Sequence, residues 1–211
     1  MIIDRDVEAY LARVLPPSSG VLGAVLAEME EQAQRRNIPI VGPVVARILH
    51  LLAKVHNARR VFELGSAIGY STLWWADAVG EGGEVFYTDS SPANLSEARG
   101  YIERAGMAAR VRLLEGDALA SLEATPGEFD IIFCDLDKPQ YPEALRRSLP
   151  RLRRGGLLIA DNVLWRGLVA HAPETAETAA IAEFNRMLYA DHRLETVILP
   201  VRDGVAVARV V

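Results

Sequence analysis

Five stretches of this chain combine glycine, carboxylate and lysine in patterns able to do chemistry. The first is Glu63-Leu64-Gly65-Ser66-Ala67-Ile68-Gly69-Tyr70-Ser71, an E-x-G-x-x-x-G run. Its two glycines would let backbone approach a ligand closely, and a helix N-terminus behind them favours a carboxylate or phosphate. It is not the G-x-G-x-x-G of dinucleotide binders, so hydride transfer loses its main support. Asp89, with Ser90, lies 20 residues beyond Gly69. A carboxylate at that offset can accept both hydroxyls of a ribose, or cap the helix that Ser91-Pro92 begins. Glu115-Gly116-Asp117-Ala118 supplies a further acid, for an adenine amino group or another cap. Asp135-Leu136-Asp137-Lys138 and Asp161-Asn162 complete the set.

The last two stretches carry the sharper chemistry. Asp135, Asp161 and Asn162 offer hard oxygen donors suited to an octahedral divalent ion, Mg²⁺ first. Two close carboxylates would otherwise repel, a cost that an ion removes. The alternative is that aspartates at strand ends are ordinary loop formers. Lys138 stands three residues past Asp135, and only two of the 23 basic residues are lysines, Lys54 and Lys138. Arginine cannot release its proton in a protein and lysine can. A lysine beside an acidic cluster therefore points to proton transfer, against the plainer alternative of a salt bridge to Asp137.

Positioning these groups requires strands. From residue 60, short apolar runs (61–64, 84–88, 111–114, 129–134 and 157–160) alternate with amphipathic stretches near 70–80, 92–105, 118–124, 141–153 and 176–190. That rhythm indicates βαβ units and a parallel sheet covered on both faces, with ligands beyond the carboxyl ends of the strands. Two final runs, 196–199 and 205–211, flank Pro200-Val201-Arg202-Asp203-Gly204 and read as a hairpin with an antiparallel last strand. Residues 1–43 read as a helical extension ahead of an α/β domain over 44–211.

Composition narrows the function classes. The 211 residues are 50% hydrophobic and carry a formal net charge of −5, which weighs against non-specific nucleic-acid binding. The single cysteine, Cys134, fits a reducing compartment and a buried strand. The start MIIDRD shows no apolar signal region, and no run reaches a membrane span, so a cytoplasmic protein is expected. The four histidines show no mutual metal-ligand spacing. Trp74 and Trp75 read as packing residues, whereas Trp165 suits the wall of a planar acceptor site. Arg166 would meet an anionic acceptor or face solvent. The arginines between 146 and 154 read as a solvated helix end, or as a phosphate contact to coenzyme A or RNA.

Four blocks together resemble the class I S-adenosylmethionine-dependent methyltransferases, and more narrowly the cation-dependent O-methyltransferases related to catechol and caffeoyl-CoA O-methyltransferases. They are ELGSAIGYSTLWWA (63–76), FDIIFCDLDKPQYPE (129–143), GGLLIADNVLWRGLVA (155–170) and LPVRDGVAVAR (199–209). The resemblance implies a Rossmann-like seven-stranded sheet and S-adenosylmethionine as cofactor. It assigns Glu63, Gly65, Ser66, Gly69, Tyr70 and Ser71 to the methionine end, Asp89 and Ser90 to the ribose, and Asp117 and Ala118 to the adenine. Asp135, Asp161 and Asn162 become ligands of Mg²⁺, Mn²⁺ or Ca²⁺, and Lys138 the general base. The family often reads D-A-D-K, so Leu136 narrows either the adenine or the metal pocket. The implied acceptor is a small molecule with vicinal oxygens, and the implied assembly a homodimer. Methylation of tRNA hydroxyuridine is the second reading, and a non-catalytic cofactor-binding protein the third.

Overall fold

The computed structural model describes residues 5–172 and 174–211. Three helices come first: α1 (Arg5–Val14), α2 (Gly20–Arg36) and α3 (Gly42–Val55). Asn37, at φ 54°, closes α2 in the left-handed conformation that asparagine tolerates, and Pro43 in the first turn of α3 presets its dihedral. Then follow β1 (Arg60–Leu64), α4 (Tyr70–Val79), β2 (Glu84–Asp89), α5 (Pro92–Arg104), β3 (Val111–Glu115), α6 (Ala118–Ala124) and β4 (Phe129–Cys134). The chain ends with α7 (Tyr141–Ser148), β5 (Leu152–Ala160), α8 (Ala176–Ala190), β6 (Leu194–Leu199) and β7 (Val205–Val210).

The seven strands form one sheet in the order β3-β2-β1-β4-β5-β7-β6. Pairings from β3 to β5 are parallel, and β7 inserts antiparallel between β5 and β6. The mostly parallel α/β sheet and its closing hairpin are thus as the sequence rhythm indicates. One helix is shorter than its periodicity suggests. The 141–153 stretch stops at Ser148 because Pro150 has no N–H to continue it, and the chain enters β5 at Leu152.

Alternation along the strands builds two cores. Val61, Ile131, Phe133 and Ile159 face α2–α5 with Met29, Leu49 and Trp75, while Phe62, Leu64, Ile132 and Leu158 face α6–α8 with Leu145 and Phe184. Trp75 is wholly buried against Phe133, ring centroids 5.7 Å apart, and truncating it to alanine should cost roughly 3–5 kcal/mol. Trp74 is buried too, so both tryptophans are packing residues. Among the described residues no helix is long and apolar enough to cross a membrane.

Candidate active site

The carboxyl ends of β1, β2, β3, β4 and β5 open into one cleft of about 1270 Å³. Gly65, Ser66, Tyr70, Ser71, Asp89, Ser90, Asp117, Ala118, Asp135, Lys138, Asp161, Asn162 and Trp165 all line it. Glu63, Gly69 and Arg166, singled out with them, do not. Glu63 is fully buried under the floor, where it accepts a hydrogen bond from Thr72 Oγ1 in the first turn of α4. Burial pushes its carboxyl up to about 6. Gly69, at φ 85°, caps α4 where a side chain would crowd Ala98 of α5. Arg166 is exposed, held by its backbone N–H to the Asp203 carboxylate.

One half of the cleft is made of strand-end turns. The N-terminus of α4 has no side-chain cap and no acidic residue in its first turn, which leaves its positive end open to a ligand carboxylate. Gly65, at φ 83°, is needed because a Cβ there would lie 2.6 Å from the Asp135 carbonyl oxygen. Leu136 Cδ2 lies 3.4 Å from the same position, so the bulkier residue packs against this turn. Ser66 ties the turn to β2: its Oγ accepts from Thr88 N–H at 3.1 Å, and its own N–H donates to the Thr88 carbonyl at 2.9 Å. Asp89 Oδ1 accepts from Ser91 N–H and Asn94 Nδ2 at 2.8 and 3.1 Å. Ser91, not Asp89, is the N-cap of α5. Asp117 caps α6, accepting Ala120 N–H at 2.7 Å. Capping and cleft-lining coexist at Asp117, whereas Asp89 lines the cleft and braces the turn before α5.

In the other half the ladder runs on past the strands. Asp135 N–H donates to the Leu64 carbonyl at 2.9 Å, and Asp161 N–H to the Cys134 carbonyl at 3.1 Å. Adjacent parallel strands lie about 4.8 Å apart, so this continuation brings the two aspartates side by side. Asn162 follows in the left-handed conformation, φ 59°, with its N–H on Asp161 Oδ1 at 2.8 Å.

Lys138 Nζ stands among these groups and is nearly buried. It donates to Tyr141 Oη at 2.7 Å, Asn162 Oδ1 at 3.0 Å and the Leu136 carbonyl at 3.2 Å, with Asp135 Oδ1 at 3.5 Å. Its ion pair is with Asp135 and not with Asp137. Burial raises both aspartate carboxyls. The Asp135 charge raises Asp161 further, and Lys138 pulls Asp135 back down. Among the described residues no three His, Cys, Asp or Glu gather into a metal cluster. The donor set is two carboxylates and one amide oxygen, and it suits a hard divalent cation because such a charge would relieve the repulsion within the buried pair.

Two cleft residues, Glu30 and Arg202, and one buried behind the cleft, Tyr141, escaped the sequence reading. Tyr141 is wholly buried, and its hydroxyl donates to the Asp161 carbonyl at 2.8 Å while accepting from Lys138. Its signal was the Lys-x-x-Tyr spacing across the 3-10 turn Lys138–Gln140. Glu30 of α2 accepts from the Tyr70 hydroxyl at 2.6 Å, and Arg202 reaches in from the β6–β7 turn. Neither carries a local signal. Cys134 is buried with its thiol pushed up to about 12, an inert strand residue. Trp165 flanks Lys138, its ring centroid 5.7 Å from Nζ.

The strand order and the cleft at the carboxyl ends of the strands define a Rossmann-like enzyme fold. Residues 18–211 match the family model described as O-methyltransferase. The chain is 36% identical over 178 residues to a catechol O-methyltransferase of Niastella koreensis, covering 80% of each. It is 34% identical over 176 residues to caffeoyl-CoA O-methyltransferase 1 of Arabidopsis thaliana, covering 77% of this chain and 68% of that one. An O-methyltransferase from Bacillus cereus, solved in complex with SAH, superposes with a TM-score of 0.87 at 30% identity, covering 98% and 97% of the two chains. This chain belongs to the O-methyltransferase family and is an S-adenosylmethionine-dependent O-methyltransferase.

Proposed function

We propose that this enzyme methylates one hydroxyl of a small catechol-like acceptor with vicinal oxygens, using a divalent cation, Mg²⁺ before Mn²⁺ or Ca²⁺. The observation that carries the reading is Lys138 Nζ lying 3.0 Å from Asn162 Oδ1 and 3.5 Å from Asp135 Oδ1. A proton acceptor beside a hard-oxygen donor set is what chelate-assisted methylation needs.

S-adenosylmethionine fits the turn half of the cleft. Its carboxylate meets the open end of α4 at Ser66, Tyr70 and Ser71, beside the Gly65 backbone. Asp89 and Ser90 take the ribose hydroxyls, and Asp117 with Ala118 the adenine. Glu63 and Gly69 act from beneath by holding the first turns of α4. Bound by Asp135, Asp161 and Asn162, the cation supplies chelation of adjacent acceptor oxygens and acidifies the hydroxyl to be methylated. Lys138 takes that proton at Nζ. The Tyr141 hydroxyl has its hydrogen committed to Asp161, so it can only accept from Nζ, as can the Leu136 carbonyl. These two acceptors aim the amine. The acceptor oxygen then attacks the sulfonium methyl as the C–S bond breaks, with orientation supplying much of the rate.

The arginine patch weakly favours the tRNA reading, and four of its five arginines are engaged within the protein. Arg146 and Arg147 pair with Glu143, Arg151 binds backbone carbonyls from Leu122 to Gly127, and Arg153 pairs with Asp130. A homodimer is supported by the apolar Val7, Tyr10 and Val14 of α1, all about half exposed. The decisive assay is methyl transfer from labelled S-adenosylmethionine to caffeate or catechol, with Mg²⁺ and with EDTA. Transfer abolished by EDTA is expected. Transfer that survives EDTA would contradict the cation's role, and cofactor binding without transfer to any catechol would redirect the search to tRNA.

A further inference from the structure

Arg202 sits in the β6–β7 turn at φ 50°, a backbone region that favours glycine, yet carries one of the largest side chains available. That side chain is part-buried and turned back onto the protein. Its Nη1 donates to the Ile40 carbonyl at 3.1 Å and to the Val41 carbonyl, spanning more than 160 positions of sequence. Ile38, Pro39, Ile40 and Val41 form the link between α2 and α3 and line the cleft. Within the link, Ile38 N–H bonds back to Ala33 at 2.9 Å. The guanidinium supplies hydrogen bonds to the other end of the link.

The turn that carries Arg202 also holds the opposite rim. The carbonyls of Gly204 and Asp203 accept Val163 and Leu164 N–H at 3.1 and 2.8 Å, and the Asp203 carboxylate accepts Arg166 N–H. These bonds fix the loop of Asn162, Trp165 and Arg166, all three at positive φ. Backbone strain of this kind persists only where its surroundings hold it in place. Ala206 of β7 pairs with Ala160 at the end of β5, one residue before Asp161, so the clasp lies beside the Asp161–Asn162 rim rather than at the adenine end.

We infer that Arg202 is a positioning residue that sets acceptor specificity: it clasps the 38–41 link to the turn that carries the Asn162–Trp165 loop, and so fixes the width of the acceptor end of the cleft. Cofactor binding, at the far turns, does not depend on it. The kinetic part rests on the proposed methylation of a catechol, whereas the clasp itself does not.

The test uses Arg202→Gly, which removes the guanidinium and suits the backbone at φ 50°, so the fold should hold. Three readouts on the full chain are compared with the natural protein. Thermolysin cleavage before Ile40 or Val41 should accelerate by about tenfold, because the freed link samples extended states more often. The SAH dissociation constant should stay within about twofold, since none of the bonds Arg202 makes lies at the cofactor turns. The KM for catechol should rise about tenfold as the link loses both of its hydrogen bonds to the guanidinium, with kcat changed less. Arg202→Lys, which keeps the charge but not the two-carbonyl reach, should behave like Arg202→Gly. Unchanged cleavage of the link in Arg202→Gly would overturn the clasp. Faster cleavage with an unchanged catechol KM would overturn its role in specificity. If the natural protein methylates no catechol, the functional reading fails and the specificity inference with it, while the cleavage rates still decide the clasp.

Discussion

The two halves of the cleft are built differently. At Asp89 and Asp117 each carboxylate is held by its own turn or helix, with hydrogen bonds spanning two to five residues. Around Lys138 the partners come from across the chain: Asn162 lies 24 positions away, and Arg202 reaches Ile40 across 162. The turn half is a set of short devices: Asp89 braces one turn, Asp117 caps α6, and Ser66 ties its turn to β2. The lysine half is one shared network that exists only after β4, β5 and the β6–β7 hairpin have paired. Changes in the turn half should therefore act one at a time and mainly on cofactor affinity. Changes in the lysine half should act on turnover and spread to their neighbours.

The sharpest contrast should come from Lys138→Ala. Loss of a general base typically costs 10²–10⁴-fold, so kcat should fall by about 10³ while the SAH dissociation constant stays nearly unchanged. Calorimetry of SAH binding beside steady-state kinetics checks both at once, and a large loss of SAH affinity would erase the distinction between the halves.

Asp89→Ala should do the reverse. Losing charge-assisted hydrogen bonds to a ribose should weaken SAH by about 10–100-fold, and kcat at saturating cofactor should change little. A kcat loss as large as that of Lys138→Ala would mean that the ribose contact is coupled to the chemistry.

The smallest effect concerns stability. The Glu63 carboxyl is raised from 4.5 to about 6, so the folded protein binds its proton more tightly than the unfolded chain does. Stability should therefore fall as pH rises from about 4 through 6 and then level off, the gap being worth about 2 kcal/mol. Glu63→Gln should remove that dependence: its advantage in urea unfolding is absent near pH 4 and greatest above pH 7. An advantage that does not vary with pH would mean that the carboxyl is not strained by burial.

The same contrast explains what could be read before folding. Strand runs and glycine turns are local, so the sheet, its closing hairpin and the strand-end turns were legible from spacing, whereas the cofactor expected at those turns came from the family resemblance. Asp135, Lys138, Asp161 and Asn162 were legible because strand-end position is itself a local property of each run. Tyr141 was half visible, three residues past Lys138, but nothing in that spacing says that its hydroxyl accepts a hydrogen bond from Lys138 and donates one to the Asp161 carbonyl. Arg202 and Glu30 were illegible, because their partners are set by how the hairpin and α2 meet the cleft. For Arg166 the sequence left an anionic acceptor and solvent both open, and solvent is where the side chain lies. The left-handed backbone at 165 and 166 carries its side chain to solvent, and no residue type announces that turn. The overlong helix after residue 141 shows a further limit, since periodicity does not register a proline stop.

The central claim is that the ends of β4 and β5 hold a divalent cation independently of the cofactor turns. It is tested most directly by titrating Mn²⁺ into the SAH-loaded protein and into Asp161→Asn, following free Mn²⁺ by electron paramagnetic resonance. The account expects one site per chain in the natural protein. In the variant it expects affinity to fall at least about tenfold, as loss of one charged ligand implies, with SAH binding unchanged. Equal Mn²⁺ affinity in the two proteins would contradict it.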